Sequence, residues 1–280
     1  MIKGAISLSN HLNNAKFIDL WNSNISGDRN MSTDNLILAF SLFLIISIFY
    51  SSVGHAGASG YLAIMALLSF APDAIKPTSL ILNIIVASIA SVKFLKAGYF
   101  DRKIFLTLII ASVPAAFFGG YLSISPWFFK LISGLFLIIA SVSMQAKEIL
   151  LKNEISYSQM PVVSGLIVGL VIGLISGLIG VGGGVFLSPI LILFRWTSIK
   201  NVSGIAALFI LVNSIAGLAG HITAINQIDF NIIFWVIAVI IGAMIGTWFG
   251  AMKFNNRIIL VCLSIVMLSA GLKFILSDLL

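Results

Sequence analysis

Gly180-Val181-Gly182-Gly183-Gly184 interrupts an apolar run that otherwise extends from 162 to 194, and Gly54-His55-Ala56-Gly57 interrupts another between 36 and 70. Each glycine inside a helix costs about 1 kcal/mol relative to alanine, so three in succession mark a break. The two breaks are copies. Gly54 and Gly57 precede Gly180 and Gly183 by 126 residues, and Lys76 and Ser79 precede Lys200 and Ser203 by 124. Phe100-Asp101 precedes Ile228-Asp229 by 128, and Gly119 precedes Gly246 by 127. Spacing this steady predicts an internal duplication.

The rest of the chain says where these breaks lie. Of 280 residues, 60% are hydrophobic and 9% charged, with a mean hydropathy of +1.14. A soluble domain carries about 25% charged residues to solvate its surface, so the soluble classes are excluded. Apolar runs fall near 36–53, 57–70, 77–95, 104–122 and 127–146, then 162–180, 184–194, 201–222, 231–250 and 258–276. Each set of five has a second member too short to cross a bilayer core of about 30 Å. The expected architecture is therefore all-α and polytopic, two inverted repeats each made of a broken hairpin and three transmembrane helices. The domain plan is a polar N-terminal extension over 1–35, a first repeat over 36–146, a cytoplasmic linker over 147–161 and a second repeat over 162–280. Residues 1–35 lack the pattern of a signal peptide and read as a flexible or surface-lying extension.

Loop charge orients the repeats. If each broken pair turns at its glycines and returns to the side it left, one face collects Lys96, Arg102, Lys103, Lys147, Lys152, Arg195, Lys200, Lys253 and Arg257. The other face's short loops then hold only Lys76 and Lys130. Single broken spans would nearly abolish this bias, so the positive-inside rule selects the hairpin. Three crossings outside each hairpin make the halves insert in opposite senses, as in many secondary transporters. Both termini are then expected outside the cytoplasm of a bacterial inner membrane. The formal charge of +7 is thereby assigned to orientation, and no nucleic-acid partner is expected. The lone Cys262 excludes an intrachain disulfide and a cysteine metal cluster. No cofactor or metal is expected. The lipid bilayer and a small anion are the expected partners, with a homodimer as a candidate assembly.

Broken backbone at membrane depth leaves unpaired N–H and C=O groups, tolerable only where protein buries them or they line a cavity. The short segments would each point a helix N-terminus, with its free amides and positive dipole end, toward the protein centre. Two such ends make an anion cradle without a buried Arg or Lys, and none is expected mid-span. Gly165, Gly169, Gly173 and Gly177, like Gly242, Gly246 and Gly250, recur every four residues and read as close helix packing rather than ligand contacts.

The stretch Gly173-Leu174-Ile175-Ser176-Gly177-Leu178-Ile179-Gly180-Val181-Gly182-Gly183-Gly184-Val185-Phe186-Leu187-Ser188-Pro189, with Ser203 and Asn213, resembles the second-half signature of the TauE/SafE sulfite exporter family. The resemblance covers about residues 36–276. In the first half Tyr50 stands where Ser176 would be, Ala63 replaces Pro189, and Gly54-His55-Ala56-Gly57 replaces the glycine run. Resemblance to this family implies a multi-pass carrier of sulfite, sulfonates or related anions.

The candidate substrate-binding residues are Gly54, His55, Gly57, Ser59, Ser79, Asn83, Ser176, Gly180, Gly182, Gly183, Gly184, Ser203 and Asn213. Small hydroxyls and amides ligate an oxyanion without the desolvation cost of a charge, although a serine in a transmembrane helix commonly bonds its own backbone. His55 lies in the first break and would bind an oxyanion, carry a proton or cap a carbonyl. His221 is read as interfacial. Lys76, Arg195 and Lys200 flank the hairpin exits and read as snorkelling, orientation-setting cations. Two other functions are weighed. Gly57-Ala58-Ser59-Gly60 fits the GxSG of intramembrane serine proteases, with His221 as a conceivable base. The duplication opposes it, since the position equivalent to Ser59 is Val185. An anion channel is the other alternative. No catalytic residue is assigned, and the chain is expected to export its anion by alternating access.

Overall fold

Both glycine clusters separate one helix from the next. The protein was analysed as a computed structural model that describes residues 33–52, 56–150, 157–221, 232–249 and 256–276. Those residues form ten α-helices: α1 Thr33–Ser52, α2 Ala58–Leu67, α3 Pro72–Lys96, α4 Arg102–Tyr121, α5 Pro126–Leu150, α6 Val162–Ile179, α7 Gly184–Leu193, α8 Ile199–Gly220, α9 Ile232–Phe249 and α10 Asn256–Leu276. No strand occurs among the described residues. From Ala39 onward they belong to one compact unit.

The short helices α2 and α7 have 10 residues each. At 1.5 Å per residue each is about 15 Å long, roughly half the bilayer core. They start alike, after a left-handed glycine: Gly57 has φ 91° and Gly183 φ 78°. They also stop alike. Ser69 (φ 59°) and Arg195 (φ 54°) are both left-handed, and the next amide folds back, from Phe70 to the Met65 carbonyl and from Trp196 to the Leu191 carbonyl. This C-terminal cap satisfies carbonyls that the helix end would otherwise leave open.

Both broken pairs are hairpins. Just before α6, Ser158 donates its amide to the Arg195 carbonyl at 2.9 Å and its hydroxyl to the Phe194 carbonyl at 2.9 Å. The end of α7 is thus tied to the start of α6. In the first half, Gly60 packs on Ile46 and Tyr50 of α1, so α2 lies back along α1. Residues 58–66 of α2 are all buried, so protein rather than lipid surrounds the re-entrant helix.

The packing comes in matched pairs. The glycines Gly169, Gly173 and Gly177 of α6 press on the main chain of Leu108, Ser112 and Ala116 of α4, while Gly242 and Gly246 of α9 press on Leu44 and Ile48 of α1. In both pairs the residue numbers rise together, so the helices run parallel. Packing of α10 on α2 is matched by packing of α5 on α7, and that of α4 on α8 by that of α9 on α3. Helices α5 and α10 cross antiparallel through reciprocal bonds, Ser141 Oγ to the Ser264 carbonyl at 2.9 Å and Ser264 Oγ to the Ser141 carbonyl at 3.1 Å.

Four helices among the described residues are long and apolar enough to span a membrane: Ala74–Lys96, Arg102–Tyr121, Val162–Ile179 and Lys200–Gly220. Large apolar side chains such as Ile110, Phe118, Ile167 and Met244 are 58–67% exposed, as a lipid-facing surface requires. The chain is a polytopic membrane protein. One boundary differs from the sequence reading. Helix α3 begins at Pro72 rather than at 77, because proline suits the first helical turn, where the missing N–H costs nothing. Lys76 is consequently carried inside the helix.

The helix contacts separate two neighbouring glycines. A Cβ at Gly177 would strike the Ala116 carbonyl of α4, whereas one at Gly217 would meet nothing nearer than 3.5 Å. Gly177→Ala is expected to destabilise the protein by about 1–3 kcal/mol, and Gly217→Ala to leave it unchanged or raise it by up to about 1 kcal/mol. Thermal unfolding in detergent compares the two.

Candidate functional site

The chain between α6 and α7 descends from one level of the protein to another. A Cβ at Gly180 would lie 2.8 Å from the Lys76 carbonyl, near the start of α3, whereas Gly183 faces Ile172, Ser176 and Phe209. Ile172 and Ser176 lie 10 and 14 residues beyond the start of α6, about 15–21 Å along it. The N-terminus of α7 therefore opens near mid-depth.

No side chain caps that N-terminus, nor that of α2. The first amides of a helix carry the positive end of its dipole and have no intrahelical acceptor. Around the start of α7, Ile172, Phe209 and Ile210 make the nearest contacts, and two serines stand beside them. Ser176 and Ser214 are 1% and 0% exposed, and neither hydroxyl has a hydrogen-bond partner. Ser214 Oγ lies 2.9 Å from where a Cβ on Gly182 would stand, and the Ser176 Cβ lies 3.5 Å from that of Gly183. Buried polar atoms are normally paired, so two unpaired hydroxyls beside an uncapped helix end are the chemistry of an oxyanion's neighbours.

The same pattern extends to α3. Ser79 Oγ and both amide atoms of Asn83 are fully buried without partners. Leu80 packs near Gly217 of α8, and α3 and α8 run antiparallel, since Lys76 and His221 share one cavity while Tyr99 meets Gly204. One turn along each helix from that contact, Asn83 and Ser214 lie at the same level. Asn213, next to Ser214, donates Nδ2 to the Phe209 carbonyl at 2.8 Å and keeps a buried, unpaired Oδ1.

The first break is filled differently. A Cβ on Gly57 would lie 2.7 Å from the Tyr61 hydroxyl, and the Tyr50 hydroxyl bonds Ser59 Oγ at 2.7 Å and Met267 Sδ at 3.1 Å. Two tyrosines thus pack against the first break, where Ile172, Phe209 and Ile210 pack against the second. Ser59 is engaged by a phenol, not an imidazole. His221 lines a cavity with Lys76, Ser123 and Pro126 at the ends of α4 and α8.

Of the predicted residues, the structure gathers Ser176, Gly182, Gly183 and Gly184 at one place and sets Ser79, Asn83 and Asn213 on the neighbouring helices. Gly180 borders the group, against Lys76. Gly57 and Ser59 belong to the tyrosine-filled hairpin. Ser203 does not join them: it is half-buried near the start of α8, beside the Gly204 that meets the Tyr99 carbonyl. Gly54 and His55 lie outside the described residues. Ser214 was missed by the sequence reading, and only its i+1 position after Asn213 hinted at it. Lys76 requires a correction. It is not a snorkelling cation but 5% exposed, its ammonium donating to the carbonyls of Gly120 at 2.9 Å and Gly119 at 3.3 Å. Its duplicate Lys200 behaves as expected, exposed and 5.2 Å over the Tyr99 ring.

Comparison with known proteins agrees with this architecture. Residues 39–274 match the family described as Sulfite exporter TauE/SafE. The chain is 35% identical over 248 residues to a Sinorhizobium fredii protein named "Probable membrane transporter protein y4hK", spanning 88% of this chain and 100% of that one. No solved structure matches.

Removing an unpaired buried hydroxyl costs little stability, since no partner is orphaned. Ser176→Ala and Ser214→Ala are each expected to unfold within about 1 kcal/mol of the parent while losing most of the thermal stabilisation by added sulfite. Unfolding scans with and without the anion provide the check.

Proposed function

The chain belongs to the sulfite exporter TauE/SafE family, a family of membrane transporters, and from that membership we propose that it exports a small sulfur-containing anion, sulfite or an organosulfonate. The observation that carries the proposal is the uncapped N-terminus of α7 at mid-depth, beside the unpaired hydroxyls of Ser176 and Ser214. An oxyanion there accepts from the amides and hydroxyls together, and its desolvation is offset by several donors rather than by one charge. Asn83 and Ser79 supply further donors from α3. Substrate is held by hydrogen bonds alone, so it can leave again.

Transport proceeds by alternating access between two inverted repeats in the bacterial inner membrane. The matched pairings, the parallel α4–α6 and α1–α9 contacts and the reciprocal Ser141–Ser264 bonds are what opposed halves related by a pseudo-twofold would give. Tyr99, Arg195 and Lys200 lie at one end of the bundle with the starts of α4, α6 and α8, and this basic end is the cytoplasmic one. Both termini are then outside. The direction follows from charge. With the interior negative, each negative charge that leaves gains about 2.3 kcal/mol per 100 mV, so export needs no coupled ion.

Proteoliposomes loaded with sulfite and given an inside-negative potential are expected to release it faster than protein-free vesicles, saturably with concentration. Release no faster than from empty vesicles would remove sulfite export. Gly183→Leu is expected to insert yet transport at the background rate, because a side chain there meets Ile172 and Phe209 and a left-handed φ. In a Cys262→Ser background, Ser123→Cys is expected to react with an impermeant thiol reagent from outside, and Lys103→Cys only from within.

A further inference from the structure

A cavity lined by a buried lysine lies outside the central site. It has a volume of about 80 Å³ and is lined by Lys76, Ser123, Pro126, Leu178 and His221 among others. The buried Lys76 forms part of its wall. An ammonium has three donors, and its two bonds to protein go to the neutral carbonyls of Gly119 and Gly120 at the C-terminal end of α4. The negative dipole end of α4 offsets part of the charge, but no carboxylate of a described residue neutralises it. A buried cation without a counter-charge is costly. Its duplicate Lys200 avoids that cost by staying exposed, so the burial of Lys76 is specific to this end of the molecule. The N-terminal end of α5, at Pro126, adds a second positive pole to the same cavity.

We propose that this cavity is a second anion site, a staging post between the central cradle and the outer solution, taking one small oxyanion on Lys76 with Ser123 at the mouth. The volume suits the class: at about 30 Å³ per molecule in the liquid the space takes between two and three waters, so it admits one small ion and little more. The site adjoins the central one. Leu178 lines the cavity two residues before Gly180, and Gly180 rests on the main chain of Lys76. An anion leaving the α7 N-terminus for this end of the molecule therefore meets Lys76 at the far side of the glycine run. Lys76 holds it by charge, where the central site holds it by neutral donors.

The inference rests on the cargo being an anion and is tested without transport. Equilibrium binding of radiolabelled sulfate at low ionic strength is compared across variants made in a purified full-length Gly183→Leu chain, whose central cradle is blocked so that only the outer cavity is read. Lys76→Gln, which keeps donors for the two carbonyls but no charge, is expected to weaken sulfate binding by at least about tenfold. Lys76→Arg is expected to stay within about twofold. Ser123→Asp, an exposed replacement that brings a carboxylate to the cavity mouth, is expected to weaken binding as much as Lys76→Gln. Gly183→Leu alone is expected to retain a sulfate site that salt abolishes. Unchanged affinity in Ser123→Asp would overturn the proposal even if Lys76→Gln failed to fold, and so would a wild-type chain that binds no sulfate. Failure of sulfite efflux with sulfate binding intact would overturn the transport reading alone.

Discussion

A helix cannot simply stop in the middle of a bilayer, because the amides and carbonyls it leaves open have no water to bond. That constraint governs the arrangement of this protein. Helices α2 and α7 each reach across only about half the bilayer core, and almost everything else covers them. Residues 58–66 of α2 are buried on every side, the C-terminal carbonyls of both short helices are taken up by returning amides, and longer helices stand between them and lipid. Only the N-terminal amides are left without caps. Those amides are what remains after the fold has satisfied the rest of the broken backbone.

The matched packing of the two halves lets one be compared with the other. Both hairpins share lengths, left-handed starts and left-handed stops, yet their interiors have diverged. Tyr50 and Tyr61 fill the first, while Ser176 and Ser214 border the second. Lys76 is buried on carbonyls, while Lys200 lies exposed over a ring. Shared features mark what the fold requires, and the differences, gathered around the second glycine run, mark what it leaves free.

Much of this could be read from the chain because glycine carries backbone information directly. The two breaks, their spacing, the hairpin and the four-residue glycine ridges are local patterns whose physical meaning depends little on distant neighbours. The left-handed stops at Ser69 and Arg195 were not legible, since neither is the glycine that normally signals such a cap and their conformation is imposed by packing. Nor was the burial of Lys76, which results from α3 beginning early at Pro72 and from α4 ending with its carbonyls turned toward that lysine. Ser214 and Ser203 look equivalent as residues in apolar helices. Only the crossing of α3 over α8 separates them, leaving one beside the break and the other near the basic end.

The glycine ridges also have a mechanical meaning. Where Gly169, Gly173 and Gly177 seat the main chain of α4 turn by turn, the two helices are toothed together at a period of one turn. Sliding by less than a full turn, about 5.4 Å, would set carbonyls against carbonyls. Such a pair is stiff along its length and behaves as a single beam, as does α9 on α1. Any motion that opens the molecule would carry each beam as a unit and be taken up outside these two pairs.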